Sequence, residues 1–158
     1  MSRFSLNKIP EQPGVYAFYE HDQCVFAGFS SNLRERIEHH LVGGSPPEAG
    51  GMRSARLHPE RVTEVCWWLD EAFEDPARRE AAWELAIQAL APVLRPRFSL
   101  SPPAVAALED HAFVKRMEKT FTGTPSGVFV PQTLDAMART ILELEEKVED
   151  LEKKLSKS

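Results

Sequence analysis

A chain of 158 residues with 42% hydrophobic and 27% charged residues has the size and composition of one globular domain carrying an appendage. Its 19 Lys and Arg against 24 Asp and Glu leave a formal charge of −5, which excludes coating nucleic acid or an anionic membrane by bulk charge. No apolar run reaches the roughly 18 residues of a membrane span, and the amino terminus lacks the apolar block of a signal peptide, so no membrane partner and a cytoplasmic location are expected. Cys24 and Cys66 form no CxxC pair, and the five His lack chelating spacing, so neither a disulfide framework nor a zinc site is expected.

In chain order, Val15 to Tyr19 and Val25 to Phe29 read as two aromatic and β-branched strands joined by the polar turn Glu20-His21-Asp22-Gln23. Asn32 with Glu35 three positions on makes a capping box that opens a helix over Leu33 to Leu41. Leu33, Ile37 and Leu41 form its buried stripe, and Arg36 and His40 share a neighbouring stripe that faces a cleft. The run from Gly43 to Gly51 is too rich in Gly and Pro for a regular element. Val62 to Leu69 reads as an interior third strand, with Val65, Trp67 and Leu69 on one face and Cys66 and Trp68 on the other. Because Trp67 and Trp68 point opposite ways, they form no common stacking platform for bases. Asp75-Pro76 opens a helix from about Ala77 to Leu90 that Pro92 ends, and Arg95-Pro96-Arg97-Phe98-Ser99 closes the module.

Beyond Pro102-Pro103, one helix is expected over Ala104 to Thr120, packed through Val105, Leu108, Ala112 and Met117 and broken by Gly123-Thr124-Pro125-Ser126-Gly127. From Leu134 the apolar positions Leu134, Met137, Ile141, Leu144, Val148, Leu151 and Leu155 alternate spacings of three and four. Leu134, Ile141, Val148 and Leu155 at a, with Met137, Leu144 and Leu151 at d, favour two parallel strands, and Lys147 at g faces Glu152 at the following e. A homodimer through this coiled coil is expected. The competing arrangement is a single amphipathic helix folded back on the core, which usually shows a wider stripe.

Pro13-Gly14-Val15-Tyr16, then Val25-Phe26-Ala27-Gly28, then Asn32-Leu33-Arg34-Glu35-Arg36-Ile37 resemble the amino-terminal module of the GIY-YIG nucleases, nearest in pattern to the one in the bacterial excinuclease. The resemblance covers roughly residues 8 to 99. Phosphodiester hydrolysis needs a base for water, a cation for the charge on phosphorus and usually a divalent metal. The resemblance implies Tyr16 as the base or water-orienting hydroxyl, Arg36 as the phosphate contact, His40 as an auxiliary histidine and Glu84 as the metal ligand for Mg²⁺ or Mn²⁺. Lys8, Arg34 and the cleft-wall ring of Phe26 are the further substrate contacts, and with Arg95 and Arg97 the cations make a local patch for DNA.

The departures from the family pattern are specific. Phe26 replaces the first Tyr of the YIG element, Phe29 the Lys after its glycine and Ser99 the closing Asn. The metal-binding Glu, nine residues before the closing Pro, falls on Ile87 counted from Pro96 and on Trp83 counted from Pro92, with Glu84 adjacent and Glu80 a turn back. The expected fold is α/β: a small three-stranded, mainly antiparallel sheet flanked by helices, GIY-YIG-like, over residues 1–99. A connecting helix and linker over 100–130 and a coiled-coil dimerisation helix over 131–158 complete the chain. Two functions remain open, a metal-dependent DNA nuclease and a catalytically degenerate module that binds DNA or a protein partner as a dimer.

Overall fold

The computed structural model describes residues 7–43, 57–95, 98–131 and 134–156, with the side chains of 42, 43, 60 and 134–143 left outside that description. Most of the predicted Gly-rich loop, together with Pro96 and Arg97, lies outside the described residues. Strands β1 (Gly14–Glu20) and β2 (Gln23–Ser30) form the predicted hairpin, with His21 entering the left-handed region at φ 57° in the turn. A register shift at Phe18/Tyr19 leaves Val25 unpaired, so the adjacent Val25 and Phe26 reach the same core layer. Helix α1 (Leu33–Gly43) comes next, opened as expected by the Asn32 side chain, which accepts from the Glu35 backbone N–H at 3.2 Å. Its predicted stripe Leu33, Ile37 and Leu41 is buried.

Strand β3 (Glu64–Trp68) pairs with β1, and helix α2 (Pro76–Leu90) starts at an Asp75 cap and stops where Ala91 turns left-handed before the buried Pro92. The two helices cover opposite faces of the sheet. Tyr16, Phe18, Val25, Phe26, Val65 and Trp67 pack with α1, while Val15, Ala17, Cys24, Ala27, Cys66 and Trp68 share the other layer with α2 and with Phe113, Met117 and Phe121. The outer edge of β2 is closed by Val93 N–H on Cys24 O at 3.1 Å and Leu94 N–H on Val25 O at 2.9 Å, which blunts a surface that would otherwise template another strand.

Three expectations change. The sheet has four strands, all antiparallel in the order β2-β1-β3-β4, because β4 (Gly127–Phe129) adds to β3. Gly127 is needed there: a Cβ would sit 2.2 Å from the Trp67 ring. The single helix expected over Ala104 to Thr120 is two, α3 (Pro102–Ala107) and α4 (His111–Thr122), because the Asp110 carboxylate accepts from Ala112 and Phe113 N–H and starts a new helix. The buried residues are accordingly Ala104, Phe113, Met117 and Phe121, while Val105 is left 47% exposed. The stretch expected to be a connector and linker thus completes the core and the sheet. Helix α5 (Leu134–Ser156) is continuous, and no helix among the described residues is long and apolar enough to cross a membrane.

The two cysteines lie in the α2-side core, both thiols pushed up, Cys24 to about 11 by burial and Cys66 to about 12 by burial and its bond to Glu64. Since the thiolate is the nucleophile, neither is expected to react with Ellman's reagent at pH 8 until denaturant is added. Colour release from the native protein at the rate of free cysteine would contradict this packing.

Candidate functional site

Alternation along β1 sends Tyr16 and Phe18 toward α1, and His40, one turn beyond Arg36, comes down onto them. The Tyr16 hydroxyl and His40 Nε2 share a hydrogen bond at 2.8 Å, and both residues are only 2% exposed. Phe18 stands edge-on to Tyr16 with ring centroids 5.5 Å apart, and Phe26 lies 5.0 Å from the His40 ring, so the polar pair is walled by aromatics. Gly28 explains itself in the same place, because a Cβ there would lie 2.5 Å from the Tyr16 ring and hydroxyl. His40 Nδ1 is buried with no hydrogen-bond partner among the described residues.

Desolvation decides the charge state of this pair. Burial pushes the Tyr16 phenol well above its ordinary range, against the positive charge of Arg36 nearby, which lowers it. Burial also pulls His40 down to about 4, helped by the charges of Arg36 and His39. At neutral pH both groups are uncharged, and their hydrogen bond links them to each other instead of to solvent. Arg36 is part-exposed, and its guanidinium has no hydrogen bond or ion pair among the described residues.

Tyr16, Arg36 and His40 are therefore brought together with the Phe26 ring, but Arg34, Lys8 and Glu84 do not join them. Phe26 is buried in the core and offers no substrate contact. Arg34 is spent on the amino-terminal segment, its Nε donating to Ile9 O at 2.7 Å and its Nη2 to Asn7 O at 3.2 Å, with Glu11 at 3.7 Å. Lys8 is exposed in the turn before Ile9. Glu84 belongs to α2, on the face of the sheet opposite Tyr16, where it accepts from Gln88 Nε2 at 3.2 Å. Glu80 accepts from both Ser101 N–H at 2.9 Å and Ser101 Oγ–H at 2.6 Å, which ties the start of α3 to α2. No three His, Cys, Asp or Glu side chains converge among the described residues. Among the described residues, Glu84, the carboxylate expected to hold Mg²⁺ or Mn²⁺, thus stands across the sheet from Tyr16, where hydrolysis would need the ion.

A stack of rings stands where the resemblance leads polar groups to be expected. Trp83, one of the two places to which the count for the metal-binding Glu leads, donates from Nε1 to Ala27 O at 2.9 Å. Its ring lies 4.9 Å from Phe29, at the family's Lys position, and 4.1 Å from Phe98. Sequence reasoning noted each substitution separately and missed that they touch. The signal was the pairing of two apolar replacements at two positions that the resemblance makes polar.

No protein-family model, curated protein or solved structure matches the chain.

Proposed function

We propose that the chain is a GIY-YIG-like module that no longer hydrolyses phosphodiesters and acts by binding a protein partner, as a homodimer. The observation that carries this reading is the contact of Trp83 with Phe29: one of the two positions to which the count for the metal carboxylate leads, and the position at which the resemblance expects a Lys, hold rings that pack on each other. The sealed Tyr16–His40 pair agrees, because a base for water must reach water. A protein partner is favoured over DNA by the formal charge of −5 and by the loss of Arg34 and Arg95 to backbone carbonyls.

The test incubates supercoiled and branched DNA with the full chain and Mg²⁺ or Mn²⁺, beside Tyr16→Phe and Arg36→Ala. No cleavage is expected from any of the three. Cleavage by the wild type that both substitutions abolish would restore the nuclease reading. Fluorescence anisotropy on the same DNA at physiological salt is expected to show no saturable binding; saturation lost in Arg36→Ala would make DNA the partner.

A further inference from the structure

We infer that the second copy is held in parallel and in register by α5. This rests on the homodimer named above and not on the GIY-YIG likeness. The seven apolar positions keep a strict heptad through one unbroken helix. In the stretch whose side chains are described, Leu144, Val148 and Leu151 are 54%, 52% and 58% exposed, and neither core cluster of the module includes any of them. A helix folded back on the core would have buried this stripe, so the carboxyl-terminal half of α5 presents it outward.

Charge selects the occupant and its direction. With Val148 at a, positions e carry Glu145 and Glu152 and positions g carry Lys147 and Lys154. In a parallel pair each g residue lies beside the e residue five positions on, which places Lys147 against Glu152 of the partner subunit, twice by symmetry. An antiparallel pair sets g against g and e against e, hence Lys against Lys and Glu against Glu. The stripe is thus complementary to itself in one orientation only. Val148 at a with Leu144 and Leu151 at d is the combination that favours two strands over three or four.

Sedimentation equilibrium over a dilution series is expected to give the full chain twice its monomer mass, falling toward monomer as it is diluted, since three heptads are short. Leu144→Asp/Leu151→Asp is expected to be monomeric throughout with an unchanged unfolding midpoint for the module, because both side chains are exposed. For the orientation, Leu151→Cys is incubated with oxidised glutathione, where in-register d positions should give a disulfide-linked dimer. The wild type should give none, its own thiols being buried. A wild type monomeric at every concentration would overturn the homodimer itself. A double-Asp variant that remains dimeric, or a dimeric Leu151→Cys that fails to cross-link, would overturn the parallel pairing through α5 while leaving the homodimer standing.

Discussion

Lowering the pH from 7 to 4 is expected to remove about 3 kcal/mol of folding stability through His40 alone. In the unfolded chain this imidazole titrates at its ordinary value of 6.5; in the folded protein burial and the neighbouring Arg36 and His39 charges hold it down to about 4. Between those two values the unfolded state binds a proton that the folded state refuses, so stability falls as pH falls and levels off below about 4. The stability that depends on a neutral His40 is complete above 6.5. The bond to Tyr16 sharpens the expectation: the proton must enter an aromatic box beside a guanidinium, with no carboxylate in the pair to receive it.

The measurement is urea unfolding at several pH values for the wild type and His40→Gln, whose amide keeps a polar partner near the Tyr16 hydroxyl. Carboxylate titrations elsewhere act on both chains and cancel in the difference. The wild-type minus variant curve should descend across the interval from pH 6.5 to 4 and be flat above it. A difference flat across the whole interval would mean that His40 takes up its proton in the folded state as readily as in the unfolded chain.

Burial of His40 also marks where sequence reasoning stops. The stripe shared by Arg36 and His40 comes from helical periodicity, and it holds. Periodicity does not say whether the stripe opens on a cleft or closes on the core, which depends on how large the opposing side chains of β1 and β2 are. Phe18 and Phe26 close it. Likewise the spacing of α2 was legible from Asp75-Pro76 to Pro92, but whether Glu84 and Tyr16 share a face depends on which side of the sheet each helix crosses. Here α1 and α2 take opposite sides, and the sheet separates the expected base, Tyr16, from the expected metal ligand, Glu84.

The missed strand has a different cause. Three residues, Gly127 to Phe129, are too few to show alternation, and a glycine flanked by Thr-Pro-Ser reads as a turn. What makes it a strand is tertiary: Ser126 N–H donates to Trp67 O at 2.8 Å and Leu69 N–H donates to Ser126 Oγ at 2.8 Å, laying the segment along β3. The hairpin, α1 and α2 were readable because each carries its own period and its own start or stop residue. The Leu108-to-Asp110 break was readable in principle, since Asp110 heads a run with its apolar Phe113, Met117 and Phe121 at spacings of four.

Gly28→Ala is expected to be among the most costly single-methyl additions the fold can receive, about 1–3 kcal/mol from overpacking and more if the Tyr16–His40 bond breaks with it. The added Cβ would meet Tyr16 Cζ and Oη at 2.5 Å and Cε1 at 3.0 Å. A tyrosine on the surface would swing aside, but this ring is held by Phe18, Phe26 and His40 and has almost no exposed surface into which to move. Removing the hydroxyl relieves one of the three contacts, so Tyr16→Phe should cost less in the Gly28→Ala background than in the wild type. Thermal or urea unfolding of the four chains of this double-mutant cycle reads the coupling directly, expected at about 1 kcal/mol for groups in contact. Additive losses would show that residue 28 does not press on Tyr16, and with that the reason for a glycine at the end of Val25-Phe26-Ala27-Gly28 would have to lie in the backbone instead of in the ring above it.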